Sequence, residues 1–258
     1  MSLPTLGFIG TGTINSALVR GFCRSDAPAY PMIVSPRSAD KSAALKAAFP
    51  DRVTVAGSMQ EVADRSDTVF IAVLPKAAEE VYTSVKFRRD QTVINLVMGC
   101  PLTKVREWIG ETKNLVHIIP MAFVAEVNGP IVLYPENAYV RSLLSPLGEV
   151  VAADTQAQMK TLQQITGLGA SFDTLFRDTV LWGIKEGLSE RVSISYTAAL
   201  YAALSQQAGL GTLSRVKELA EEFTPGGLNW KGKSTIEAAD AFAPWTEALE
   251  EIKKHNNR

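Results

Sequence analysis

The chain has 258 residues, 46% of them hydrophobic and 21% charged, with a formal net charge of −1. That length allows one large domain or two ordinary ones, and the near-neutral charge gives no case for a nucleic-acid or anionic-membrane partner. Two cysteines without a CxxC spacing and two histidines offer neither a disulfide framework nor a metal-ligand cluster.

The N-terminus shows no signal-peptide pattern, and the longest apolar run, Val69–Leu74, is too short to span a bilayer. With Cys23 and Cys100 read as reduced thiols, these features predict a cytoplasmic protein. Leu6–Ile9 reads as a buried strand, and Gly10 and Gly12 allow a tight turn with bare backbone. Ile14, Ala17, Leu18, Gly21 and Phe22 follow at helical spacing. Strand, glycine turn and helix form a dinucleotide fingerprint, in which the helix N-terminus faces a pyrophosphate. The expected cofactor loop is Gly10, Thr11, Gly12, Thr13, Ile14 and Asn15. Asn15 stands where the third glycine belongs, so it either pushes the helix outward or turns its amide toward the cofactor. A glycine turn with no ligand is the competing reading.

Pro31–Ser35 reads as the second strand, followed by Ser35-Pro36-Arg37-Ser38 with no acid before Asp40. An NAD site places a carboxylate here, whereas Arg37 with the hydroxyls of Ser35 and Ser38 suits a 2′-phosphate. NADP(H) is therefore expected, with NAD(H) as the alternative, against the plain reading of Arg37 as a surface residue.

A helix at Asp40–Phe49, a strand at Val53–Val55 and a helix at Met59–Arg65 come next. Thr68–Leu74 is a continuous apolar run, as in a central parallel strand, and Pro75 ends it. Helices at Lys76–Val85 and Leu102–Ile109 flank a strand at Thr92–Val97. Further strands fall at Val116–Ile119, Ile131–Tyr134 and Glu149–Ala152, with a helix at Glu136–Leu147. The alternation predicts a parallel sheet covered by helices on both faces, with ligands at the carboxyl ends of its strands. Val73, Leu74, Pro75 and Gly99 lie at such ends. His117 sits in the apolar run Leu115–Ile119 and reads as a core or strand-end histidine, while His255 lies in a polar tail.

After Asp154 no strand pattern returns. The predicted architecture is an α/β Rossmann-type dinucleotide-binding domain over residues 1–154, then an all-α domain over 155–258. An Ala/Ser-rich helix at Ser193–Leu204 suits close packing and a subunit interface, or else a helical cap on a monomer. Thr224-Pro225-Gly226-Gly227 reads as a turn, or as a nest of N–H groups for a carboxylate.

Taken in order, these segments resemble the pyrroline-5-carboxylate reductase family almost end to end. Gly7–Gly12 looks like its cofactor loop, and Ile71–Pro75 is similar to its strand ending in Lys-Pro, with Leu74 for the lysine. Ile94–Cys100 looks like its Ile-Ser-x-Ala-Ala-Gly-Ile strand, and Thr166–Phe172 like its Ser-Gly-Ser-Gly-Pro-Ala-Tyr element. The helix through Glu186–Leu200 is similar to the one that follows, and Thr224–Gly227 matches the Ser-Pro-Gly-Gly loop. The resemblance implies NADPH or NADH as hydride donor, a cyclic imino acid as substrate, and a homodimer or larger ring. It places Asn229 and Thr224 in catalytic positions and Gly226, Gly227, Thr166 and Met121 against substrate. The family's Pro-Asn-Thr-Pro reads Pro120-Met121-Ala122-Phe123 here, its imine-contacting threonine falls at Asn229, and Leu168 replaces a serine. Two other readings compete. A hydroxyacid dehydrogenase would carry a catalytic lysine on the first long helix of its second domain, and Gly167–Phe176 has none. A non-catalytic NADP-binding protein would tolerate the changes at Met121 and Asn229.

Overall fold

The computed structural model describes residues 3–255. Their elements run β1 (Leu6–Ile9), α1 (Thr13–Arg24), β2 (Met32–Val34), α2 (Ala39–Ala48), β3 (Val53–Val55), α3 (Met59–Asp64) and β4 (Thr68–Ile71). Then come α4 (Ala78–Ser84), β5 (Thr92–Asn95), α5 (Leu102–Ile109), β6 (Asn114–Pro120), β7 (Pro130–Tyr134), α6 (Ala138–Leu144) and β8 (Glu149–Ala152). The helical part is α7 (Gln156–Thr166), α8 (Gly169–Lys185), α9 (Glu190–Gly209), α10 (Leu213–Glu221), α11 (Leu228–Ala238) and α12 (Ala243–His255).

One eight-stranded sheet has the order β3-β2-β1-β4-β5-β6-β7-β8. The strand order reverses between β1 and β4, which makes this the Rossmann-type switch point. The expected all-parallel sheet needs one correction: β7 runs antiparallel to β6, with His117 opposite Tyr134. The connection over 121–129 holds only a short 3₁₀ turn, Ala122–Glu126, and a parallel crossover needs more chain than that. Two expected strands also stop early. β4 ends at Ile71 rather than Leu74, and β5 at Asn95 rather than Val97; Ala72 and Leu96 still donate to the Ile9 and Ile71 carbonyls, but the Val97 N–H turns to the Asn95 side chain. Pro75–Ala77 forms a separate 3₁₀ turn before α4, and Pro146 limits the sixth helix to Leu144.

Alternating side chains feed two layers. Phe8, Phe70 and Ile94 point to one face, under α1 and α6. There Phe8 stacks on Phe70 at 4.8 Å, and Phe22 of α1 meets Phe70 edge-on. Each of these fully buried rings contributes roughly 1.5–3 kcal/mol. Ile9, Val69, Val93 and Val97 point to the other face, under α3, α4 and α5. Gly21 brings α1 backbone to backbone with the segment after β6; a Cβ there would stand 2.2 Å from the Val124 carbonyl oxygen.

The chain divides into two compact units, Met1–Leu162 and Gln163–Arg258. In the second unit α8 and α9 approach closely, where Ser193 Oγ donates to the Val180 carbonyl at 2.9 Å and Gly183 leaves room for that hydroxyl. Among the described residues of this unit, Val180 is the only buried hydrophobic side chain. Trp182, Tyr196 and Leu204 are 64%, 67% and 53% exposed.

Candidate cofactor cleft and substrate loop

At the switch point, a cleft of about 410 Å³ opens at the carboxyl ends of β1 and β4. Of the residues expected to bind a cofactor, Gly10, Gly12, Thr13, Ile14, Arg37, Ser38, Val73 and Leu74 line it. The two turn glycines do different work. Gly10 has φ +85°, and a Cβ there would stand 2.3 Å from the Ala72 carbonyl oxygen, so its bareness serves the fold. A Cβ on Gly12 would meet nothing within 4 Å, so its bareness leaves open space in the cleft. Gly12 caps α1, and the N–H groups of the first helical turn have no carbonyl a turn behind them. Open backbone, free donors and the positive end of the helix dipole fit a pyrophosphate.

Arg37 is exposed on the cleft wall, without an ion pair or side-chain hydrogen bond to any described residue. Lys76 lines the same cleft in the same unpaired state. Lys76 belongs to the strand-end segment 74–76 that the sequence singles out for ligands without assigning it to the cofactor, and Ala72, Ala77 and Leu96 are not expected in the lining. The 3₁₀ turn after Pro75 brings Lys76 to the cleft, and no side-chain period announces it. Pro75 and Gly99 flank the cleft without lining it, Gly99 at φ +71°.

Three expected contacts are corrected. Ser35 is fully buried, and its hydroxyl accepts from the Gly10 N–H at 3.0 Å, so it braces the turn instead of facing a phosphate. Thr11 is equally buried and donates to the Ser35 carbonyl at 2.8 Å, with Ser42 Oγ donating to Thr11 Oγ1 at 3.1 Å. Its side chain therefore belongs to the brace. Asn15 turns its amide inward, donating to the carbonyls of Ile9 and Gly10 at 3.0 Å each. Both carbonyls also accept a backbone N–H, from Ala72 and Gly12 respectively, so the Asn15 amide adds a second donor to each and ties the helix start to the turn.

The second unit holds the expected substrate loop. Thr224-Pro225-Gly226-Gly227 is a type II turn, with Gly226 at φ +79° and the Gly227 N–H donating to the Thr224 carbonyl at 2.9 Å. The expectation that both glycine N–H groups stay uncovered is thus corrected, since the turn consumes one. Gly227 also caps α11, so the free donors are those of its first turn, Asn229 included. Thr224 and Asn229 are exposed. Thr166 ends α7 and donates back to the Gln163 carbonyl at 2.6 Å. Met121, in the first unit, is half-buried just before the 3₁₀ turn after β6.

His117 is 5% exposed, and neither ring nitrogen has a partner. Burial alone pushes its pKa down to about 4, so the imidazole is neutral near pH 7. Among the described residues, no group of histidine, cysteine and acidic side chains is suited to hold a metal ion, and no helix is long and apolar enough to cross a membrane.

Residues 5–99 match the protein family described as NADP oxidoreductase, coenzyme F420-dependent. The chain is 27% identical over 219 residues to a pyrroline-5-carboxylate reductase of Pseudomonas aeruginosa, covering 81% of this chain and 79% of that one. It is 24% identical over 249 residues to the Pisum sativum enzyme of the same name, covering 90% and 88%. In fold it is similar to the Plasmodium falciparum pyrroline carboxylate reductase with NADP bound, with a TM-score of 0.80 over 99% of this chain and 98% of that one, at 20% identity.

Proposed function

We infer that this chain, a member of the pyrroline-5-carboxylate reductase family, is an NADP-dependent reductase of the C=N bond in a cyclic imino acid, pyrroline-5-carboxylate or a close relative. The observation that carries this reading is the cleft at the switch point. Gly12 opens it to a pyrophosphate, and Arg37 stands unpaired where a 2′-phosphate would end. When bound, the cofactor supplies the hydride. The protein has then to orient the acceptor and hold its carboxylate, since a protonated imine is already electrophilic.

The backbone of Gly10–Asn15 holds the pyrophosphate. Arg37 and Ser38, joined by Lys76, hold the 2′-phosphate, and Val73 and Leu74 form an apolar wall. The first turn of α11, opened by the Thr224–Gly227 turn, takes the substrate carboxylate, and the Asn229 amide oxygen accepts from the N–H of the protonated ring nitrogen. Asn229 is no acid, so the imine arrives protonated from solution.

The chain works as a homodimer or larger homo-oligomer. Among the described residues of its helical unit, one hydrophobic side chain is buried and many large ones are exposed, and a second copy is the partner whose faces match in chemistry. Two free thiols, Cys23 and Cys100, suit the reducing cytoplasm. Sedimentation at micromolar concentration tests the assembly; a strict monomer rejects it. The activity is tested by following NADPH oxidation against a panel of cyclic imines and keto acids. Turnover of a cyclic imino acid is the expected result. Turnover of keto acids alone favours a hydroxyacid-type reductase, and tight NADPH binding with no turnover favours a non-catalytic role.

A further inference from the structure

Asn95 is the last residue of β5 and is fully buried, yet its amide is nearly saturated. Its Oδ1 accepts from the Val97 N–H at 2.8 Å and from the Tyr82 hydroxyl at 2.6 Å. Its Nδ2 donates to the Cys100 carbonyl at 3.1 Å. The side chain therefore spans the bend over residues 96–100 from both ends. Inside that bend lie Leu96, which lines the cofactor cleft, and Gly99 at φ +71°.

Tyr82 is the outer anchor of this amide. It belongs to α4, which follows directly on the cleft wall formed by Val73, Leu74 and Lys76. Its ring is fully buried and stacks on Trp108 of α5 at 5.8 Å. Burial pushes the phenol well above its ordinary pKa, so it stays a donor. One phenol thus ties together the elements that follow both walls of the cleft: α4 after β4, and α5 after the bend.

We propose that Tyr82 and Asn95 are positioning residues, which hold the 96–100 bend in the shape that lets Leu96 and its neighbours receive the cofactor. The proposal rests on the reading of the cleft as an NADPH site. A purely structural pair would contribute to stability and leave cofactor affinity alone. A positioning pair must change affinity out of proportion to stability.

The test compares wild type with Tyr82→Phe, Asn95→Ser and a control, Leu143→Ala, whose buried side chain lies in the core on the opposite face of the sheet. NADPH dissociation constants, thermal midpoints and amide hydrogen exchange over 96–100 are measured for each. Tyr82→Phe keeps the ring and its stacking, so the fold is expected to survive. Its NADPH dissociation constant should rise about fivefold, as expected for one buried hydrogen bond, with faster exchange at Val97. Asn95→Ser should exceed that effect, and Leu143→Ala should lower the midpoint with affinity unchanged. Wild-type binding together with unchanged affinity and exchange in both variants overturns the proposal and leaves the cofactor reading standing. Failure of wild type to bind NADPH overturns both.

Discussion

Asn95 and His117 face each other in register on neighbouring strands, one with its amide nearly saturated and the other with both ring nitrogens unpartnered. The contrast sets a pH dependence. Folded His117 protonates only near pH 4, because burial opposes the charge, whereas the unfolded imidazole protonates near 6.5. Above pH 6.5 neither state is charged and the site leaves stability untouched. Between 6.5 and 4 only the unfolded chain gains the proton, so stability falls by up to about 3 kcal/mol, and below 4 the loss saturates. Urea titrations from pH 7.5 to 4 should show this limb in wild type and a flatter one in His117→Leu. Equal slopes would mean that the imidazole is not buried in solution.

Cofactor choice should lie with Arg37 and Lys76, the two unpaired cations of the cleft. Arg37→Ala is expected to weaken NADPH by roughly tenfold to a hundredfold, the range of one charge-assisted contact, with NADH little changed. Lys76→Ala should cost less, since a lysine gives a point charge without the bidentate fork. Equal wild-type affinity for NADPH and NADH would show that neither cation reads a 2′-phosphate.

The two turn glycines should separate folding from binding. Gly10→Ala forces a Cβ onto the Ala72 carbonyl and is expected to lower the thermal midpoint markedly. Gly12→Val should fold normally and lose NADPH, because its side chain fills only the open cleft. A Gly12→Val protein with unchanged NADPH affinity would place the pyrophosphate elsewhere.

Much of the α/β half was legible because its strands carry dense apolar runs punctuated by glycine and proline. The cofactor turn, the second-strand arginine and the order of helices all follow from that punctuation. Strand direction was not legible for β7, since Ile131–Tyr134 has the same side-chain pattern whichever way it runs. Only the short connection before it decides. The buried state of Ser35 and Asn15 was hidden for a similar reason. Polar residues beside a ligand loop look alike whether they face the ligand or hold the loop, and only the acceptors beneath them tell. The helical half had clear periodicity, but its apolar faces turned out to be mostly exposed in one chain, so pattern alone could not say what they pack against.

Asn229→Ala should reduce turnover tenfold to a hundredfold, roughly the loss of one transition-state hydrogen bond, with NADPH affinity unchanged. This is the cleaner probe of the substrate loop. Gly227→Val would press a Cβ to 3.0 Å from the Thr224 carbonyl oxygen and disturb the turn itself. Full activity of Asn229→Ala on the imine identified by the panel would reduce Thr224–Gly227 to a turn.

Ser35 and Arg37 stand two residues apart, the first with its side chain locked beneath the glycine turn and the second free in the cleft. If Arg37 reads the 2′-phosphate as proposed, the fold depends on one position and ligand preference on the other, with little shared between them. A lineage could drift from one nicotinamide cofactor to the other by changing residues 37 and 38 while the brace stays fixed. An engineer has the same freedom: cofactor preference can be retuned on this scaffold without first redesigning its stability.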